Sequence, residues 1–317
     1  MQKRFLGNTG IRVSEIAFGG VEIGMPYGIG VSGKDDMISE NDAISLLQLA
    51  VAKGFNFFDT ARMYGVSENI MGKAFRHCRQ NIVIATKCRH FRNADGMLSS
   101  DTELKKLIHT SIRESLSALQ TDYIDVFMLH QADMEILARE VIAVEMQRLK
   151  KAGVVRAIGV STYSVEETRK AIESENWNVI QLPFNLMDQR QQTLFELAAK
   201  SGVGIVVRSV LLKGLLSTRG TGLHPALHQV EEHIKKYTGL MEDGESLPKM
   251  AVKFALSYPQ VSSVLVGIDK KSYLMESLEA ADGHYMNKDR LQKACSLAYP
   301  DPAFLNLPYW DKMGWLR

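Results

Sequence analysis

Cysteine is scarce in this chain of 317 residues: Cys78, Cys88 and Cys295 are all it has. Their odd count and wide spacing exclude a disulfide framework and a cysteine-based metal site, and suit a reducing compartment. Lys87 beside Cys88 would favour a thiolate, set against the simpler role of packing. Excess charge of one sign is also missing. The 38 Lys and Arg against 36 Asp and Glu leave a formal charge of +2, which excludes a bulk electrostatic partner such as nucleic acid. The pairs Lys105 and Lys106, and Lys270 and Lys271, read as solvated helix faces. No apolar run is long enough to cross a membrane, and the opening MQKRFLGNTG lacks the apolar stretch of a secretion signal. The expectation is a cytoplasmic protein with small-molecule partners, no nucleic acid, no membrane and no metal. A hydrophobic fraction of 45 % is ample for a large core.

Short apolar runs alternate with helical stretches along most of the chain. After an apparent hairpin, RFLGNTGIRVSE, the runs are IAFGG at 16–20, FNFFD at 55–59, NIVIATK at 81–87 and YIDVFMLH at 123–130. They continue with VRAIGVS at 155–161, NVIQLPFN at 178–185, VGIVVRS at 203–209 and VSSVLVG at 261–267. Between them lie amphipathic segments, such as SENDAISLLQLAVAKG with Ser39 as a cap signal and Gly54 as a stop. Runs buried on both faces and separated by helices pair in parallel. Eight such units predict a (β/α)8 TIM barrel over residues 1–317 as one domain, with an open doubly wound sheet as the alternative. Two segments exceed a minimal barrel. Leu212 to Lys249 is a long insertion after strand 7, with HPALHQVEEHIKKYTG as a helix that starts near Pro225 and stops at Gly239. The tail, residues 285–317, reads as irregular chain over one mouth of the barrel.

In a barrel of this kind, reactive groups stand at the C-terminal ends of strands and in the loops that follow. Asp59, Lys87 and His130 each end an apolar run, and Tyr64 follows Asp59 by one short turn. Each has an ordinary structural role available: a helix cap, a surface charge, a core histidine, a packing aromatic. Their convergence from three consecutive strands points to proton transfer instead. A phenol ionises near pH ~10 in water. Lys87 beside Tyr64 would lower that value, and Asp59 would hold Lys87 charged. His130 would hydrogen-bond a substrate oxygen. This set protonates an oxygen that gains charge as hydride adds to its carbon, yet it holds no hydride, so it requires a nicotinamide cofactor.

GIGVSG at 28–33 fits the G-x-G-x-x-G of a dinucleotide fold. That fingerprint must join a strand to a helix, whereas Met25, Pro26 and Tyr27 precede it and KDDMISEND follows. It reads as a loop after the first strand.

The ordered stretches RFLGNTGIRVSEIAFGG, FFDTARMYGVSENIMGKAF, IVIATK, LQTDYIDVFMLH, KAGVVRAIGVS, QLPFN and SVLVG resemble the aldo-keto reductase family, from the N-terminus to about residue 281. The resemblance implies a β/α barrel, an extended NAD or NADP cofactor without a Rossmann domain, and Asp59, Tyr64, Lys87 and His130 as the catalytic tetrad. It further implies that Ser161, Thr162 and Gln181 hold the nicotinamide carboxamide, Thr162 standing where asparagine is usual. Phe184 would stack on the nicotinamide ring. Gly20 would line the cofactor site, and Ser209, Val210, Leu211 and Gly214 would approach the diphosphate, with Lys213 as a neutralising cation. Around the adenosine end it implies Gly267, Asp269, Tyr273, Glu276 and Ser277. A carboxylate at Asp269 favours a free 2′-hydroxyl, hence NAD over NADP, although Lys270 and Lys271 adjoin it. Arg208 stands where the family often has an aromatic residue, and no role follows for it.

The implied activity is hydride transfer between nicotinamide and a carbonyl or alcohol, with Tyr64 as general acid or base and sugar oxidation as the alternative direction. Tyr27, Trp310 and Trp315 are candidates for the substrate wall. Two other classes fit parts of the pattern: a Schiff-base aldolase using Lys87, and a non-catalytic module that senses nicotinamide.

Overall fold

The computed structural model describes residues 1–31 and 33–316; Ser32, within the GIGVSG stretch, and Arg317, at the end of the tail, lie outside the described residues. Eight parallel strands close into a barrel: β1 (Ile16–Gly19), β2 (Phe57–Asp59), β3 (Val83–Lys87), β4 (Ile124–Leu129), β5 (Val155–Ser161), β6 (Val179–Pro183), β7 (Gly204–Arg208) and β8 (Val261–Gly267), with β8 bonded back to β1. These are the eight apolar runs of the sequence, in order. The sheet is closed, not open and doubly wound.

The pleat sorts the apolar residues of every strand into two sets. Ala17, Phe57, Val83, Ala85, Val126, Met128, Ala157, Val179 and Val206 form a cluster inside the barrel. Their neighbours, among them Phe18, Phe58, Ile84, Phe127, Ile180, Leu182 and Val207, belong to the larger core under the helices. Burial of each such side chain stabilises the fold by about 1.5–3 kcal/mol.

The N-terminal hairpin pairs Lys3–Phe5 with Arg12–Ser14. Its Leu6, Ile11 and Val13 join the inner cluster and plug the end of the barrel where the strands begin. Arg4 fastens it there. Its guanidinium meets Glu15 at 2.8 Å and donates to the carbonyls of Leu256 at 3.0 Å and Val261 at 2.9 Å. The opposite mouth is left to the loops.

Local signals set the helix ends. Helix α1 (Glu40–Ala52) starts on Ser39, whose side chain accepts from Asp42 N–H at 3.2 Å, and Gly54 leaves it with φ +92°. Helix α2 (Ser67–Phe75) has no side-chain cap. Helix α3 (Asp101–Leu119) opens with a Ser100–Glu103 capping box. Gly28 and Gly30 have φ of +109° and +74°, and Gly33 leads into a 3-10 turn at Lys34–Asp36 before α1, so the described residues of the glycine motif lie after β1 and lead directly into no α-helix.

The insertion after β7 contains a 3-10 turn at Pro225–Leu227, the helix His228–Lys235 and a further turn at Lys236–Leu240 that holds Gly239. The tail corrects the sequence reading. It is not irregular, because it carries the helices Lys288–Ser296, capped by Asn287, and Leu307–Lys312, opened by Pro308. Their few apolar positions and short lengths gave too little period to read. The tail packs on the insertion: Leu297 O accepts from Tyr237 Oη at 2.7 Å and pairs with His233 Nε2 at 2.8 Å, and Trp315 stacks on His224. Among the described residues no helix is long and apolar enough to cross a membrane.

Gly72 lets α2 meet α3 through bare backbone, since a Cβ there would lie 2.4 Å from Ala118 O. Gly72→Ala should lower the urea midpoint, with a loss of about 1–3 kcal/mol outweighing the better helix propensity of alanine.

Candidate active site

Two residues beyond the inner cluster, the same pleat carries polar side chains to the open mouth. Asp59 follows Phe57, Lys87 follows Ala85, His130 follows Met128, Gln181 follows Val179 and Arg208 follows Val206; Ser161 lies two pleats above Ala157. The β5–β6 register sets Ser161 beside Gln181, and β6–β7 sets Pro183 beside Arg208. One ring of strand ends thus presents an acid, two cations, an imidazole, an amide and a hydroxyl. Tyr64 joins it from the loop between β2 and α2, which Gly24 holds by accepting from Val66 N–H at 3.2 Å.

Lys87 and Asp59 form the buried centre. Lys87 Nζ lies 2.6 Å from Asp59 Oδ2 and donates to Thr60 O at 3.1 Å, while Gln181 Nε2 donates to Asp59 Oδ1 at 2.8 Å. Both carboxylate oxygens are engaged. Burial lowers the pKa of Lys87, and Asp59 opposes that shift. Lys87 Nζ stands 5.0 Å from the Tyr64 ring centroid, and that ring meets His130 edge to face at 5.3 Å.

The electrostatics revise one expectation. Tyr64 is not made easier to ionise in this structure: burial first and Asp59 second raise its pKa well above 10, and Arg208 is the leading cation that opposes them. The phenol is therefore held as an acid. His130 is pushed down to about 2 by burial, then by Lys87, His90 and Arg208, so the imidazole is neutral. Its Nδ1 is buried without a partner. Cys88 is a packing thiol, pushed up to about 12 by burial.

The residues implied for the cofactor divide between the rim of the mouth and the outer packing. Ser161 is buried at the rim, and Gln181 uses its amide nitrogen on Asp59, which leaves the carbonyl oxygen to accept. Together they offer a donor and an acceptor suited to a carboxamide. Thr162 lies one step out of phase, and its hydroxyl is paired with Thr168 at 2.7 Å. Phe184 corrects the stacking assignment. It is out of phase with Gln181, fully buried, and its ring packs with Phe195, Phe254 and Tyr258 at 5.0–5.2 Å. Gly20 is a close-packing position whose absent Cβ would meet Met71, Asp59 O and Ser67 Oγ.

Beyond β7 the chain is contorted. Ser209, Leu212 and Lys213 have φ of +58°, +48° and +57°, and Gly214 has +101°. Residues held in this region cost about 1–3 kcal/mol each and cluster at ligand clamps. Val210 is buried and Leu211 packs on the core. Lys213 Nζ lies 5.1 Å from the Tyr27 ring, and Lys213 O accepts from Ile29 N–H at 3.1 Å, so this segment and the loop after β1 meet over the mouth. Burial holds the Tyr27 phenol protonated, and Glu22 and then Tyr64 add to that upward shift.

At the far end, Glu276 accepts from Ser246 Oγ, and Ser277 is buried with its hydroxyl on Tyr273 O at 2.8 Å. Both serve the helix packing. Asp269 is half-buried and precedes exposed Lys270 and Lys271, and Lys270 reaches over the Tyr273 ring. Trp310 is fully buried against Phe304, so it packs the tail and walls no pocket; the ring contacts of Trp315 are His224 and Tyr309. Among the described residues no cluster of three or more His, Cys, Asp or Glu is placed to hold a metal.

Two groups went unread in the sequence. Glu22, three residues past the end of β1, lays its carboxylate over Gly267, where an added Cβ would fall 1.9 Å from Oε1. Its Oε2 is buried without a partner, and Asp269, Asp59 and Arg219 surround it electrostatically. A lone acid past a strand end was the available signal. Tyr163 supplies the ring under Arg208, at 4.2 Å; nothing in its sequence context marked it.

Comparison with known proteins agrees with this architecture. The family model described as "Aldo/keto reductase family" matches residues 15–293. A solved structure, the holo form of aldo-keto reductase AKR11C1 from Bacillus halodurans, superposes with a TM-score of 0.79 at 26 % identity, covering 94 % of this chain and 96 % of that one. L-galactose dehydrogenase of Arabidopsis thaliana is 29 % identical over 88 % of each chain. A probable voltage-gated potassium channel subunit beta of Oryza sativa subsp. japonica is 28 % identical over 89 % of this chain and 92 % of its own.

Burial raises Glu22 from 4.5 to about 8. Between those values the unfolded chain loses this proton while the native state keeps it, so Glu22 makes stability fall as pH rises across that window, and the full cost is present above pH 8. Glu22→Gln should leave the urea midpoint little changed near pH 4 and raise it near pH 9, by on the order of 1–3 kcal/mol.

Proposed function

This chain belongs to the aldo/keto reductase family, as an NAD(P)-dependent oxidoreductase of small carbonyl and alcohol substrates, and within it we propose Tyr64 as the proton-transferring group. The observation that carries this reading is the convergence of Tyr64, the sealed Asp59–Lys87 pair and neutral His130 on one mouth of the barrel. When bound, the nicotinamide supplies or accepts the hydride.

The protein's own residues do the rest. Tyr64, held protonated, gives its proton to the substrate oxygen in reduction, and the same phenolate takes it back in oxidation. Lys87 lies near the phenol and favours that phenolate once it forms. Asp59 keeps Lys87 charged and fixed in spite of its burial. His130, as a neutral ring against Tyr64, donates one hydrogen bond to the substrate oxygen without adding a charge. Ser161 and the free carbonyl of Gln181 hold the carboxamide. The strained segment Ser209, Val210, Leu211 and Gly214 holds the diphosphate, with Lys213 as its cation.

We read Asp269 as the selector of the adenosine half. With Glu276 and Ser277 committed to the helices, it is the half-buried polar group left at that end, and its carboxylate suits a 2′-hydroxyl and opposes a 2′-phosphate. NAD is the preferred cofactor on this reading. The likeness to L-galactose dehydrogenase then supports a sugar hydroxyl as substrate, oxidised at the pocket. The likeness to a potassium channel subunit supports a second reading, a nicotinamide-responsive partner of another protein; turnover on a panel of sugars and carbonyls separates the two.

Tyr64→Phe should lower kcat by at least about a thousandfold while NADH still binds, the loss expected when a general acid and its charge stabilisation go together. Steady-state turnover and fluorescence titration on the same preparation check this, and unchanged turnover would sink the assignment. NADH should bind more tightly than NADPH, and Asp269→Arg should reverse the order; titration of both cofactors against both proteins measures it.

A further inference from the structure

Arg208 neither gives nor takes a proton in the reaction, yet it is built into the site. The pleat of β7 points it inward above Val206, and its guanidinium is pinned on three sides. Nη2 donates to Thr162 O at 2.9 Å, Nη1 donates to Ser209 Oγ at 3.2 Å, and the Tyr163 ring lies 4.2 Å from Cζ. Nε is buried without a partner. Among the described residues no carboxylate pairs with it, whereas Arg4, Arg79 and Arg156 each have one. Its charge is felt at Tyr64, Lys87, His130 and Tyr27. This is a fixed, uncompensated cation inside the reaction pocket.

Two groups of the reaction change charge in place, Tyr64 between phenol and phenolate and the nicotinamide ring, which is cationic when oxidised and uncharged when reduced. On the reading above, Ser161 and Gln181 hold its carboxamide, and Arg208 stands on the strand next to Gln181, one pleat higher. We propose that Arg208 sets the redox balance of the bound cofactor, favouring the uncharged reduced ring over the cationic oxidised ring. The inference rests on the nicotinamide reading of this site and goes beyond it. A second positive charge beside a cationic ring is unfavourable in a pocket of low dielectric, and the same charge is neutral toward the reduced ring.

On the enzyme this favours alcohol oxidation. The carbinol C–H bond breaks and its electron pair passes to the ring, whose charge falls from one to zero. The hydroxyl proton passes to the Tyr64 phenolate, and a carbonyl remains. Atoms and charge balance with the cofactor as the only oxidant. A guanidinium keeps its charge across the working pH range, so the bias does not titrate.

The test is the ratio of dissociation constants for NAD⁺ and NADH, measured by calorimetry without substrate on the native protein and on Arg208→Met, Arg208→Gln and Arg208→Lys. In the native protein the reduced form should bind more tightly, by on the order of ten- to a hundredfold. The ratio should fall toward one in the Met and Gln variants and persist in Lys. A guanidinium that only braces Thr162 and Ser209 would weaken both forms alike and leave the ratio unchanged. A native ratio near one, or a ratio that both Met and Gln preserve, overturns the inference alone. Binding of neither NAD⁺ nor NADH, nor their phosphorylated counterparts, by the native protein overturns the nicotinamide reading and the inference with it. Should Arg208→Met fail to fold, the Gln and Lys pair decides, because each ratio is internal to one protein.

Discussion

The strict alternation of side chains across a pleated strand governs this site. A closed parallel barrel has only one interior, so each strand can send every second residue there and no other. At the blind end those positions must be apolar, because the hairpin seals them with Leu6, Ile11 and Val13. One or two pleats later the same phase reaches the open mouth, and Asp59, Lys87, His130, Ser161, Gln181 and Arg208 all occupy it. The rule also removes residues. Thr162 and Phe184 differ by one or three positions from rim residues and fall on the outer face, where they meet Thr168 and the Phe195–Phe254–Tyr258 cluster.

Charge in the pocket follows from what the barrel excludes. The side chains of the pocket are wholly or partly buried, so each ionised group needs a partner or gives up its charge. Lys87 keeps its charge through Asp59, and Asp59 is satisfied on both oxygens by Lys87 and Gln181. Tyr64, His130 and Glu22 lack such a counter-ion and are held neutral by burial. Arg208 is the exception, since a guanidinium stays protonated whatever surrounds it. It settles against carbonyl, hydroxyl and aromatic faces instead. Among the described residues the pocket therefore combines a compensated pair, neutral acids and the uncompensated Arg208.

The loops over the mouth add backbone strain to this picture. Three non-glycine residues with positive φ fall within six positions after β7, and that segment is tied to the loop after β1 and to the tail through Asp311. Regular structure ends where cofactor contacts are expected to begin. The helices Lys288–Ser296 and Leu307–Lys312 back the insertion from outside and bury Trp310, so the aromatic residues of the tail support the loops without lining the site.

Much of this was legible in the chain alone. Eight apolar runs separated by helical segments specify a barrel because each run is buried on both faces and each crossover needs a helix. The meeting of Asp59, Tyr64, Lys87 and His130 at one mouth was legible because they end or follow such runs, and position along a strand is a one-dimensional property. What tertiary structure decided was everything that depends on a neighbour from a distant part of the chain. Which face Phe184 takes depends on counting phase from an inner residue whose inwardness the sequence does not display. The sign of the Tyr64 shift depends on burial outweighing nearby cations, and the carboxylate of Glu22 over Gly267 joins strand ends 245 residues apart. Arg208 was visible as an oddity, but its surroundings required seeing that Thr162, Ser209 and Tyr163 hold it and that no acid among the described residues does. Sequence determined the elements and the reactive ends because those are local; the fold decided pairing, burial and charge state because these arise only when strands distant in sequence close on one another.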